Sequence, residues 1–222
     1  MKGKSVIVSM MAAGMAMFLC GVFTASAQEK VTLYGDYYYG MSVQEVTQLS
    51  EAGKCDDEDL EGCLCRASVD FAGEKWEQIF QIYKDRLVKV VFLKKDGDRT
   101  FTTLAQKMAD DGYRVVYAEN DDDELDMFAL NAQDAGAAQS MLSKFMAQPG
   151  DAEYMFLKAD AVTNITAARK VDNFVALMTD APASLQAVEI IREDSQIMVV
   201  FSAPIALNED TKNSPDDPDD LF

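Results

Sequence analysis

Three cysteines lie within eleven residues of one another and are the first candidates for chemistry: Cys55, Cys63 and Cys65. In an oxidising compartment we expect one bridge, from Cys55 to Cys63 or Cys65, which closes a loop of about ten residues and stabilises the fold by roughly 2 to 3 kcal/mol. Direct pairing of Cys63 with Cys65 is disfavoured, because residues two apart in a strand have Cα atoms about 6.5 Å apart, at the edge of disulfide geometry.

The third thiol then remains for redox exchange, for a covalent dimer or for a soft-metal site. A metal site is the least favoured of these uses, because the cysteines lack C-x-x-C spacing and the chain has no histidine to complete a tetrahedral set.

Two acidic runs raise the question of calcium binding. Their candidate ligands are Asp56, Asp57, Asp59, Asp121, Asp122 and Asp123. An EF-hand loop needs alternating oxygen ligands, a glycine at its sixth position and an acid at its twelfth. The second run fails this pattern, because Leu125 falls on the fifth or the sixth position. Both runs are therefore predicted to be solvated turns with weak cation contacts at most.

The chain contains 38 acidic residues and no histidine. Serine, cysteine and metal-dependent hydrolases usually need an imidazole to move protons near neutral pH or to hold a transition metal. Catalysis by paired carboxylates is chemically allowed, but two neighbouring acids carry no information in so acidic a chain. The sequence predicts a protein that is not an enzyme and has no cofactor or resident metal.

The N-terminus predicts export. Lys2 and Lys4 precede an apolar run over residues 6–23, and Ala25-Ser26-Ala27 is a small-x-small cleavage site. We interpret residues 1–27 as a cleaved signal peptide, which places the mature protein in the periplasm or outside the cell. A retained anchor and a lipid on Cys20 are the alternatives, and Phe18-Leu19 before Cys20 argues against the lipid. No later segment predicts a membrane span.

The charge restricts the partners. The formal net charge is −18, and the signal peptide carries two lysines and no acid, so the mature charge is −18 minus 2, or −20. Such a chain repels nucleic acid and anionic lipids and favours metal cations or basic proteins. Solubility is the simplest role of this charge.

The first half of the mature chain predicts one helix and an antiparallel meander. Residues 31–39 form a strand interrupted at Gly35-Asp36, and a helix follows in which Ser42 is the N-cap, Glu45 completes a capping box and Gly53 ends the helix. Strands are predicted over 66–71, 76–83 and 87–93. Such an architecture buries one face of the sheet under the helix and leaves the other face free.

The second half predicts further helices and strands, and the fold class is α+β. The helices are expected over 101–111, 135–148 and 165–178, and the strands over 113–118, 125–130, 153–159, 185–192 and 196–202. We expect one or two small subdomains of helix plus antiparallel sheet, at 28–98 and 99–207, with one continuous domain as the alternative.

Two more segments are candidates for binding. Residues 208–222 are predicted to form a disordered acidic tail. One interpretation is that its Leu221-Phe222 end docks in a basic-rimmed pocket, and the other is that the tail only keeps the protein soluble. An aromatic patch at Tyr34 and residues 37–39 suits stacking on a sugar or a peptide, but alternation along a strand favours core packing.

The segment Gly-Met-Ser-Val-Gln-Glu-Val at 40–46 precedes strands that end in Tyr-Lys-Asp-Arg-Leu-Val-Lys-Val at 83–90. This pattern resembles small bacterial envelope modules, namely the smallest lipoprotein of the outer-membrane β-barrel assembly machinery and the β-lactamase-inhibitor-protein-like folds. The resemblance covers about 55 residues, near 40–94. The chain departs from it by lacking a usable lipobox and by its insertion at 55–65.

The resemblance implies a non-enzymatic protein-binding module of the envelope, and no functional residue is carried over from it. The leading hypothesis is a periplasmic binding or scaffold protein whose free sheet face or tail contacts another envelope protein. The alternative is a cation or small-ligand binding protein that uses the acidic loops.

Overall fold

The computed structural model describes residues 30–57, 60–95, 100–168, 171–193 and 195–212. Within these ranges the chain forms seven helices and eleven strands. Two strands make a small N-terminal hairpin and the other nine make one large antiparallel sheet, which confirms the α+β class.

The N-terminal hairpin and the first helix follow the local signals of the sequence. Strands β1 (Thr32–Tyr34) and β2 (Tyr37–Tyr38) meet at Gly35, whose positive φ of 55° makes the predicted interruption a tight turn. Helix α1 (Val43–Ser50) begins at the predicted capping box: the Ser42 side chain accepts from the Glu45 N–H, and the Glu45 carboxylate accepts from the Ser42 N–H. The Ser42 hydroxyl also donates to the Glu45 carboxylate, at 2.6 Å, and this bond together with the one from the Ser42 N–H lowers the pKa of Glu45 to about 2.

The predicted end of this helix at Gly53 is wrong. Helix α1 ends at Ser50, because Glu51 adopts the left-handed conformation at φ 59° and donates its N–H to the Thr47 carbonyl. Gly53 instead begins strand β3 (Gly53–Lys54).

The predicted meander is confirmed as β4 (Leu64–Phe71), β5 (Glu74–Tyr83) and β6 (Arg86–Lys95). Its two turns each place two consecutive residues at positive φ, Ala72-Gly73 and Lys84-Asp85. Turns of this kind match the right-handed twist of the strands that they connect, so the hairpins close without splaying.

The remaining elements alternate helices and strands. They are α2 (Thr100–Asp110), β7 (Tyr113–Glu119), β8 (Glu124–Asp126), α3 (Met127–Gln133), α4 (Ala135–Met146), β9 (Ala152–Lys158), α5 (Ala159–Ala168), α6 (Phe174–Asp180), β10 (Ala187–Glu193), β11 (Gln196–Ser202) and α7 (Pro204–Lys212).

The sheet runs in the order β3-β4-β5-β6-β11-β10-β9-β7-β8. Strand β11, the last along the chain, returns to pair with β6, and Val200 lies opposite Val91. This pairing joins the N-terminal meander to the strands of the second half in a single sheet.

The predicted strand over 125–130 is wrong beyond Asp126. Its carboxylate accepts the N–H groups of Phe128 and Ala129 at 2.9 and 3.1 Å, which starts helix α3 there. The apolar run that suggested a strand instead forms the first turn of a short helix, in which Met127 is buried and residues 128–130 are half-buried.

The single helix predicted over 165–178 is also wrong, since α5 ends at Ala168 and α6 begins at Phe174. The Asn173 side chain accepts the N–H of Ala176 and caps α6. The apolar period continued across the break because residues of both helices pack in one cluster, to which Val171, Phe174 and Met178 also contribute.

Asp126 also ties two helices together. Besides capping α3, its second carboxylate oxygen accepts the Phe174 N–H at 2.7 Å, at the start of α6. Asp134 serves as a matched control for the bond from Asp126 to α6, because the Asp134 carboxylate caps a single helix, α4, by accepting the N–H groups of Gly136 and Ala137.

We expect Asp126→Ala to lower the free energy of unfolding by about 2 kcal/mol and Asp134→Ala by about 1 kcal/mol, because only the first change also frees a helix start elsewhere in the chain. Equilibrium unfolding in urea gives both values. Equal losses for the two variants would contradict a stabilising bond from Asp126 to α6.

One face of the sheet is covered along its length. Helices α2 and α4 and the N-terminal hairpin pack on it around stacked rings, of which Phe71 and Phe92 have centroids 4.1 Å apart. Helices α5 and α6 cover only part of the second face, over β9 and the neighbouring ends of β7 and β10, around the buried Leu157 and Ala187.

Helix α7 includes residues 208–212, which the sequence assigned to the disordered tail. Residues 213–222, with Leu221 and Phe222, lie outside the described residues.

Candidate protein-binding face

The cysteines form one bridge, between Cys55 and Cys65, with Cα atoms 4.8 Å apart. This is one of the two pairings that the sequence allows. Cys63 is free and half-buried, and burial raises the pKa of its thiol, against a smaller opposite effect of a backbone hydrogen bond from Ile82. A protonated thiol is a weak nucleophile, so the environment of Cys63 does not favour redox exchange or covalent dimerisation.

The acidic runs are organised as turns. The Asn120 side chain accepts the backbone N–H groups of Asp122 and Asp123 at 2.9 and 2.7 Å, and the side chains of residues 121–123 are exposed. Asp56 and Asp57 are exposed as well, and Asp59 lies outside the described residues. Among the residues that the structure describes, no three acidic or cysteine side chains meet in a group suited to a metal ion.

The tyrosine patch divides between the core and a groove. Tyr34 and Tyr37 pack against core phenylalanines. Tyr38 and Tyr39 line a groove of about 630 Å³, where their hydroxyls donate to Glu45 at 2.9 Å and to Asp210 at 2.6 Å. Both hydroxyls are therefore already engaged within the chain.

The part of the second sheet face that α5 and α6 leave uncovered carries apolar side chains outside the packed clusters of the described residues. Register places six apolar side chains in two adjacent rows across strands β5, β6, β11 and β10. We call these residues the apolar strip: Ile79, Val91, Leu93, Ile191, Met198 and Val200.

Exposure varies along the apolar strip, and its two most buried members lie in the second row. Ile79 and Val200 are 5% and 6% exposed, and the other four are half-buried. Within the described ranges, none of the six belongs to the three packed clusters or packs against them. Among the described residues the strip is therefore a sheet face without a covering element, as expected from the sequence for one side of the meander.

Carboxylates flank the strip on both sides. In the first row the register runs Glu77, Leu93, Met198, Ile191, Glu153 and Glu119, and in the second it runs Ile79, Val91, Val200, Glu189, Met155 and Tyr117. These twelve positions hold four carboxylates and no lysine or arginine. The basic side chains on this face lie one row beyond on either side, Lys75 and Lys95 beyond the first row and Lys89 and Arg114 beyond the second.

Two of these carboxylates, Glu153 and Glu189, lie where burial disfavours their charged form. Burial raises the pKa of Glu153, and the charges of Glu189 and Glu119 raise it further. Burial also raises the pKa of Glu189, while Lys89 and Ser202 oppose that shift. Lys89 also lowers the pKa of Glu153, and a further cationic group close to these carboxylates would stabilise their charged form.

The composition of two strands is a signal for this face in the sequence. Residues 87–93 and 197–201 are apolar at nearly every position, whereas a strand with one solvated face alternates between apolar and polar residues. The surplus apolar residues are those of the strip.

Comparisons with protein-family models, with curated proteins and with solved structures found no match for this chain. In the described part of the chain, no helix has both the length and the apolar character needed to cross a bilayer.

Proposed function

We propose that this protein is an exported, non-enzymatic binding module of the bacterial envelope, which contacts another protein through the apolar strip. The observation that carries the proposal is a set of six apolar side chains on one sheet face that pack in none of the clusters of the described residues. Exposed apolar patches rimmed by charge are typical of interaction surfaces in water-soluble proteins.

Export is the second part of the proposal. The signal-peptide pattern and the Cys55–Cys65 bridge both support an oxidising compartment outside the cytoplasm. An acidic, exported binding module has no need of catalytic groups, which agrees with a chain that lacks histidine.

Site-specific photo-crosslinking in the native cells tests both parts. The photoreactive residue replaces Met198 on the strip or, as the matched control, Met141, an exposed methionine (42% exposed) on α4. We expect one discrete, identifiable crosslinked partner from position 198 and none from position 141. The mass of the isolated chain should correspond to a protein that begins at Gln28.

Identical crosslinks from the two positions, or none from position 198, would contradict binding through the strip. An uncleaved chain in the cytoplasmic fraction would contradict export.

A further inference from the structure

We infer that the partner segment is a basic amphipathic helix, which lays its apolar side on the apolar strip and its lysine or arginine side chains on the flanking carboxylates. This inference rests on the proposed function and specifies the chemistry of the partner. It follows from three properties of the face: its lack of backbone hydrogen-bonding groups, its width and its charge.

The face presents side chains and no backbone groups, because the peptide groups of β6, β11 and β10 are paired with neighbouring strands on both sides. A segment that docks here must satisfy its own N–H and C=O groups, since leaving them unpaired against an apolar surface costs about 1 to 3 kcal/mol each. An isolated extended segment leaves many of them unpaired. A helix pairs them internally.

The width of the strip suits a single helix. Adjacent strands are about 4.8 Å apart, so Leu93 on β6 and Ile191 on β10 are separated by roughly 10 Å across the strands. A helix with its side chains is about 10 to 12 Å wide, and its apolar side chains at i, i+3 and i+4 are about 5 to 6 Å apart. This spacing is close to that of the strands.

The positions of the flanking carboxylates indicate where the partner helix carries its basic side chains. Glu77 on β5 and Glu153 on β9 lie four strands apart, or roughly 19 Å, on opposite sides of the strip. A helix seated between them leaves roughly 4 Å on each side for long basic side chains to span. Glu189 lies on β10 opposite Val200 and adds another carboxylate to the flank that holds Glu153.

A model peptide tests the inference directly. The probe is a synthetic peptide of about 18 leucines and lysines with helical periodicity, and the comparison peptide has the same composition in strict alternation, the periodicity of a strand. We expect the mature protein to bind the helical peptide at least tenfold more tightly in calorimetry, because only that peptide gathers its leucines on one helical face.

Protein variants assign the binding to the strip. Met198→Gln is expected to weaken binding of the helical peptide about tenfold, which is within the range for one lost apolar contact, whereas Met141→Gln changes it less than twofold. The pair Glu77→Gln and Glu153→Gln is expected to weaken binding several-fold, and Asp122→Asn with Asp123→Asn serves as the charge-matched control. Circular dichroism confirms that each variant is folded.

Equal affinity for the two peptides, or equal effects of Met198→Gln and Met141→Gln, would overturn the inference. If the peptides fail while photo-crosslinking from position 198 still identifies a partner, the helical partner is rejected and the proposed function stands. If both experiments fail, the proposed function is rejected as well.

Discussion

Replacing Phe92 with alanine is expected to lower the free energy of unfolding by about 3 to 5 kcal/mol. Its ring is 1% exposed and stacks on Phe71, with centroids 4.1 Å apart. It also meets the rings of Tyr34 and Phe201 at 4.8 and 6.0 Å. The loss combines the transfer of a large apolar side chain with a cavity that three other rings cannot fill.

The next residue along β6 is the matched control. Leu93 points to the opposite face and is half-buried on the apolar strip. Leu93→Ala is expected to cost less than about 1 kcal/mol, since it leaves no enclosed cavity. Urea unfolding of both variants and the parent protein gives the two values. A loss at Leu93 as large as that at Phe92 would mean that the strip is packed in the isolated protein, which would contradict its role as a free binding face.

The elements that could be predicted from sequence are those with local causes. The capping box at Ser42 and Glu45 depends on residues close together in the chain, and the structure confirms it. The errors at 125–130 and 165–178 lie where a helix start depends on a single side-chain cap, Asp126 or Asn173. Each cap stands within an apolar run, and the run is the stronger signal in the sequence.

The apolar strip has a non-local cause and could not be located from sequence. It exists because β11 pairs with β6, more than 100 residues away in the chain, in a register that aligns Met198 with Leu93 and Val200 with Val91. A shift of one residue would exchange the faces of the whole strand. The sequence indicated that the strands carry surplus apolar residues, but the identity of their neighbours required the fold.

Removal of the disulfide is the second change for which we expect a large loss of stability. Replacing Cys55 and Cys65 together with serine is expected to lower the free energy of unfolding by about 3 kcal/mol, because the bridge joins residues ten apart in sequence and restricts the unfolded chain. Cys63→Ser is the matched control and should change stability by less than about 1 kcal/mol, since its thiol is free and only half-buried. Urea unfolding with and without a reductant measures the three proteins.

The pattern of these losses decides which bridge the protein uses. If Cys63→Ser were as costly as the double replacement, the bridge in solution would be Cys55–Cys63, the other pairing that the sequence allows. The distinction bears on the binding face, because Cys65 lies directly opposite Ile79, at the end of the second row of the strip. A bridge through Cys65 anchors that end of the sheet, so its removal should also weaken binding of the helical peptide, whereas Cys63→Ser should leave that binding unchanged.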